Sequence, residues 1–329
     1  MSVESVLAQW ARKTGKSVEE LRRALELIKS KLPADEMQER KALAILGARL
    51  APLLRSKAVP FEAVIIGVTE KRDLNARRIA EAKELFMKDR ERAILDGICA
   101  PDGTPLDNRK TLPDGRPNPR YGKPLRSLWQ RVIWGIGKPK DASEIKLVQL
   151  VVRWRNEQSP LASLMPELGK KYTFLAIPKS EAPGMYIANA SKFTSFTKSE
   201  DADVISLLQG APAELRATVE TLVDWHEKNK QNLNRLVIVE GDVINVRDQP
   251  TERGSRLFFL GDVLSDIELE AVPVFVPEHV PFPTVGSRVI VVGSTSLGVD
   301  LMTGERTRII LNAFGIFELW SGVEVPIEL

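Results

Sequence analysis

Two series of short β-branched segments, five in each, constrain this chain more than any other feature. The first series is Phe61–Thr69, Leu128–Gly137, Ile145–Arg155, Lys171–Ile177 and Met185–Phe196. The second is Arg235–Val246, Ser255–Gly261, Val272–Val276, Arg288–Gly293 and Thr307–Phe317. Segments of this length, rich in Val, Ile, Phe and Trp and bounded by turn formers, read as strands. A short helical turn over Leu161–Leu168 falls between the third and fourth segments of the first series. Five strands with a helix at that place are the pattern of an OB-fold, a five-stranded Greek-key barrel. The second series lacks a clear helix there but has a similar length.

The rest of the chain reads mostly as helix. Ser17-Val18-Glu19-Glu20 is a capping box, and Leu21, Ala24, Leu25 and Ile28 follow at helical spacing. A second helix after Pro33 carries Ala42, Leu43, Ile45, Leu46 and Leu50. Residues 75–98 also read as helical, whereas 100–124 is a long Pro/Gly-rich loop. Loops of that length are functional or disordered more often than not. The expected fold class is α+β, in four parts: a helical N-terminal domain over 1–58, an OB-like barrel over 59–200 with an insertion at about 75–124, a helical linker over 201–233, and a second OB-like barrel over 234–329.

Charge is distributed unevenly. Arg109 to Arg155 holds twelve bases against three acids, a net +9, while Leu260 to Leu329 holds three bases against ten acids, a net −7. A polyanion is drawn to the middle and repelled by the C-terminal part. Single-strand binders combine such bases with flat side chains on which unpaired bases stack, each stack worth about 1–3 kcal/mol. Strand alternation sorts the aromatics of the first barrel. Trp134 and Trp154 fall on the more apolar faces and are expected in the core. Leu175 and Ile177 are expected to face the barrel, which leaves Tyr172 and Phe174 outside. The expected nucleic-acid-binding set is Arg109, Lys110, Arg116, Arg120, Tyr121, Lys123, Arg126, Trp129, Arg131, Gln149, Arg153, Arg155, Tyr172 and Phe174. Stacking is expected on Trp129, Tyr172 and Phe174; the loop bases have two readings, wrapping a backbone and ordering on binding, or belonging to a solvated insertion or a docking site for an acidic protein.

Several chemistries are missing from the sequence. There is no G-x-x-x-x-G-K-[ST] phosphate loop, no G-x-G-x-x-G and no G-x-S-x-G elbow. One cysteine, Cys99, and two histidines, His226 and His279, are too few for an internal disulfide or a Cys/His zinc site. Both histidines are expected at the surface. Asp96-Gly97 lacks the lysine of a nucleotidyl-transfer K-x-D-G. The N-terminal MSVESVLAQW has neither a basic start nor an apolar run, and no stretch has the roughly 20 apolar residues of a membrane helix. The expectation is a cytoplasmic, non-enzymatic binding protein with no cofactor, no metal and no membrane partner.

The phrase ARKTGKSVEELRRALELIKSKL, followed by RLVIVEGDVINVRDQP, SRLFFLGDV and VGSRVIVVG, resembles the archaeal replication protein A family of single-stranded DNA binders. The resemblance implies sequence-tolerant binding of single-stranded DNA in replication, recombination or repair. It supplies no residue identities; the set above rests on strand alternation and charge. Two alternatives stay open. One is an RNA-binding protein on the same fold. The other is a non-catalytic adaptor whose N-terminal helices or acidic C-terminal barrel bind protein.

Overall fold

The computed structural model describes residues 3–34, 37–54, 57–182, 184–229, 235–247, 249–251, 254–261, 271–299 and 304–320. They form two compact units. The first comprises Met1–Glu70, Val132–Val151 and Leu164–Leu329; the second comprises Lys71–Arg131 and Val152–Ser163.

The first unit begins with helices α1 (Val3–Thr14), α2 (Val18–Lys29) and α3 (Gln38–Leu54). Ser17 starts α2 as the sequence predicts: its hydroxyl accepts from the Glu20 amide, and the Glu20 carboxylate accepts from the Ser17 amide. The apolar stripes meet in a core of Leu7, Ala11, Leu21, Leu25, Ile28, Ala42, Leu46 and Leu50.

Two barrels follow, and their strand orders are the same. The first is built from β1 (Val59–Val68), β3 (Trp129–Pro139), β4 (Lys146–Trp154), β5 (Lys170–Ala182) and β6 (Met185–Ala190). Its order is β1-β3-β4-β6-β5, closed by pairing of β5 with β1. A two-residue strand, β2 (Arg72–Asp73), pairs with the start of β3, and β7 (Phe196–Asp201) pairs with β5. The second barrel is built from β9 (Val237–Arg247), β10 (Arg256–Gly261), β11 (Val272–Val276), β12 (Arg288–Gly298) and β13 (Arg308–Trp320). Its order is β9-β10-β11-β13-β12, closed by β12 on β9. In each barrel the third and fifth strands are parallel, β4 with β6 and β11 with β13. Two five-stranded, OB-like barrels behind a helical N-terminus make the α+β architecture expected from the sequence.

The local departures have local causes. Leu161–Leu168 forms turns and extended chain rather than a helix, because Pro166 lacks an amide and disfavours helix at the preceding residue. The stretch expected as one strand to Phe196 breaks after Ala190. There the Thr194 hydroxyl accepts from the Ser191 amide at 2.8 Å and donates to the Leu175 carbonyl at 2.6 Å, fixing a turn before β7. Between the barrels, α6 (Val204–Gln209) and α7 (Leu222–Asn229) flank β8 (Arg216–Thr218), which pairs in parallel with β9. The segment expected as a helical linker therefore adds a strand to the second sheet. His226, expected at the surface, is buried on α7, with its Nδ1 2.7 Å from the Thr295 hydroxyl. His279 is half-buried, and its Nε2 lies 2.9 Å from the Val68 carbonyl.

The barrels share a core. Ile66, Trp134 and Leu147 of the first pack with Ile238, Ile290, Val292 and Phe317 of the second, and Leu208, Ala211 and Leu215 fill in from the linker. The backbones approach closely at two glycines. A Cβ on Gly315 would sit 2.3 Å from the Ile66 carbonyl oxygen, and one on Gly67 would sit 2.9 Å from the Phe314 Cβ. No larger residue fits either position without moving a strand. Trp134 of β3 is in a core, as expected, and that core is the one shared between the barrels. Val132, Trp134 and Ile136 on the more apolar face of β3 pack into it, while Ile133 on the opposite face is 1% exposed.

A candidate nucleic-acid groove

The second unit contains the insertion. Its helices α4 (Ala76–Lys88) and α5 (Arg90–Leu95) pack through Ala82, Ala93, Leu85 and Phe86 onto Ile98 and Cys99. Burial, and then the charge of Asp102, push the Cys99 thiol above its ordinary value, so it stays a neutral core group. The loop that follows is folded. Leu106 bridges to Pro124 and Thr111 to Pro117, in antiparallel fashion. The Asp107 amide donates to the Lys123 carbonyl and the Gly122 amide donates back to the Asp107 carbonyl, each at 2.9 Å. The tip closes where the Leu112 amide donates to the Arg116 carbonyl, with Gly115 at φ +80°. The segment is a hairpin-like finger.

One buried acid organises the base of the finger. The Asp107 side chain is 4% exposed. It accepts from Arg78 at 2.8 Å and from the Arg109 guanidinium at 3.2 and 3.3 Å. Asn118 donates from its side chain to the Arg109 carbonyl and accepts from the Arg120 amide, tying the two arms together. Burial alone would raise the Asp107 carboxyl. Hydrogen bonds from Arg109, Arg78 and Asn118 outweigh it and hold the group far below the usual carboxylate range.

The expected site residues separate into three groups. Arg109 is spent on Asp107, and Arg116 is spent on Asp114 at the tip. The Arg116 hydrogen bond lowers the Asp114 carboxyl, an exposed pair that holds the turn. Lys110 is exposed on the arm between them. The second group converges. Arg120, Lys123 and Arg126 from the finger's return arm, with Arg155, line a groove of about 640 Å³ together with Pro124 and Asn156. No carboxylate lines it, and none of the four bases forms an ion pair among the described residues. Tyr121, between Arg120 and Lys123 in the chain, is 51% exposed. Arg153 is exposed beside them in sequence and donates to the Gln130 side chain at 2.8 Å.

The third group does not reach solvent as expected. Arg131 is 8% exposed; it lies over the Trp154 ring and donates to the Ala162 carbonyl at 3.3 Å. Burial lowers its pKa, and its role is to pack. Trp129 is half-buried, with the Lys71 ammonium 5.0 Å from its ring centroid. In the first unit, Gln149 is half-buried in β4. Tyr172 and Phe174 are 6% and 2% exposed and belong to an aromatic cluster with Phe61 and Phe196, so neither offers a face to a ligand. The faces of β5 are the reverse of those expected: Tyr172, Phe174 and Ala176 are buried together, while Lys171, Thr173 and Ile177 on the other face are half-buried. Leu175, expected in the barrel, lies on that second face, within 3.6 Å of the Cβ position at Gly15 before α2. On β4, where Arg153 is exposed and Val152 and Trp154 are buried, alternation identifies the faces correctly, and Arg155 just beyond its end is exposed as well.

Sequence reasoning overlooked Asp107, Asn118 and Asn156. The signal for Asp107 was an acid immediately before a run of bases, in Leu106-Asp107-Asn108-Arg109-Lys110. Among the described residues, no group of three or more His, Cys, Asp or Glu could hold a metal ion, and no helix is long and apolar enough to cross a membrane.

No family model matches the chain, and no curated protein matches it. Similarities to solved structures are loose. The p204 HINb domain is 10% identical, with a TM-score of 0.29 over 78% of this chain and 95% of that one. A murine DNA binding protein bound with double-stranded DNA is 9% identical, with a TM-score of 0.26 over 80% and 97%. The tetrameric p202 HIN2 is 11% identical, with a TM-score of 0.25 over 79% and 92%. The ligand is therefore argued from the groove itself.

Proposed function

We propose that this protein binds single-stranded DNA without chemical turnover, through the groove of the second unit. The observation that carries the reading is the convergence of Arg120, Lys123, Arg126 and Arg155 on one groove with no acid among its lining residues. Four cations held together repel one another and are retained where an anion joins them. Phosphates satisfy arginine forks with paired hydrogen bonds. Tyr121 supplies an exposed aromatic ring in the same arm of the finger, and a ring stacks on bases only where those bases are unpaired. The helical N-terminus and tandem barrels fit the resemblance to replication protein A-like binders, which supports a role in replication, recombination or repair.

The test is fluorescence-anisotropy titration of a labelled dT30 oligomer, a matched RNA and a matched duplex at low and high salt. The single strand is expected to bind more tightly than the duplex, with affinity falling steeply as salt rises. Tyr121→Ala is expected to weaken single-strand binding by about 1–3 kcal/mol, one stacked base, while leaving duplex binding unchanged. Failure of the single strand to bind at low salt refutes the reading. Tighter binding of the RNA reassigns the ligand.

A further inference from the structure

Resting on that reading, we infer that the groove is an end pocket, one that takes a phosphate monoester at the terminus of a strand. Three observations point to this. The first is size. The groove's volume is about 640 Å³, and its lining comes from two short segments, 120–126 and 155–156. A stacked strand carries one charge per ~3.4 Å of axis, and a stretched strand carries fewer. A groove of this size therefore holds two or three internal phosphates at most, fewer negative charges than the four cations around it.

The second is charge matching. A terminal phosphate monoester carries about −1.5 to −2 near neutral pH and three acceptor oxygens. With one or two adjoining diesters it balances Arg120, Lys123, Arg126 and Arg155. Three guanidinium forks and one ammonium also supply more donors than a diester with two free oxygens can accept.

The third is that the finger's own unspent charge is concentrated in the groove. A strand passing along the finger needs cations spaced along it. On the finger Arg109 is held by Asp107 and Arg116 by Asp114. Lys110 is the one finger base outside the groove with no ion pair among the described residues.

The experiment compares four dT12 probes against the full-length protein: 5′-phosphorylated, 3′-phosphorylated, hydroxyl at both ends, and covalently circular. One phosphorylated probe is expected to bind at least about tenfold more tightly than the hydroxyl probe, and the circle most weakly. The preferred end gives the polarity. The preference is expected to shrink as pH falls through about 6, where the monoester takes up its second proton. Arg126→Ala is expected to abolish the preference while preserving the fold, because its backbone carbonyl still accepts from Asn75. Equal binding of all four probes overturns the end pocket and leaves single-strand binding standing. Absence of binding by every probe at low salt overturns both.

Discussion

Replacing Arg120, Lys123, Arg126 and Arg155 together with alanine is expected to lower affinity for single-stranded DNA by about 25- to 125-fold at 0.1 M salt. The magnitude follows from counterion release. Each phosphate contact on a single strand contributes a slope of about 0.7 in log affinity against log salt, or about fivefold between 1 M and 0.1 M. The two or three phosphates that the groove holds compound to this range, and their loss makes the salt dependence shallower by about 1.4 to 2.1. The four residues have no ion pairs among the described residues, so the variant should keep its melting temperature. The matched control is Arg116→Ala. That residue is neutralised by Asp114, and its loss is expected to change affinity by less than the about fivefold worth of one contact. Titrations over a salt series, with melting curves for each variant, check both statements.

The second large effect concerns Asp107. Asp107→Ala is expected to cost the second unit about 3 kcal/mol and to weaken DNA binding as a consequence, because Arg120 and Lys123 lose the frame that positions them. The cost arises because Arg78, three-quarters buried, would lose its carboxylate partner and keep only a long hydrogen bond of 3.3 Å to the Asn108 side-chain oxygen. Its Nη1 already has no hydrogen-bond partner among the described residues. Asp107→Asn keeps the shape without the charge and should fall between the two. The same carboxylate gives the unit an acid sensitivity of definite sign. Its folded pKa lies below the unfolded value of about 3.9, so its contribution is fully present above that pH and is lost as pH falls toward the folded pKa. Protection of the Asn118 and Gly122 amides, whose N–H groups close the finger, taken relative to the intrinsic exchange rate at each pH, should fall below about pH 4 in the wild type. In Asp107→Ala it should be low throughout. Unchanged exchange in the variant would remove Asp107 from its place as the organiser of the finger.

What the sequence revealed depended on whether a signal was local. The capping box at Ser17 and Glu20 involves two residues three apart, and it forms as read. The ten strands of the two barrels are runs of β-branched residues bounded by turns, and each has a counterpart in the structure. On β3 apolar residues of both faces are buried, one face in the core shared with the second barrel, and on β5 the aromatic residues rather than Leu175 and Ile177 form the buried cluster, so its two faces are the reverse of those expected. The finger was illegible for a different reason. It is held by a buried carboxylate and an asparagine that cross-link segments eleven residues apart, and such polar hubs leave no periodic trace. The basic groove was visible as a concentration of charge but not as a shape. Sequence could not tell that Arg109 and Arg116 are spent internally while Arg120, Lys123, Arg126 and Arg155 are not.

The account stands on the location of the ligand. The most direct measurement is photo-cross-linking of a dT30 oligomer carrying a photoreactive thymine analogue, with the modified peptides identified by mass spectrometry. The account predicts cross-links at Tyr121 and within 119–127 and 153–157, lost in the four-alanine variant. Cross-links confined to the N-terminal helices or the second barrel, with none in the finger, would contradict it.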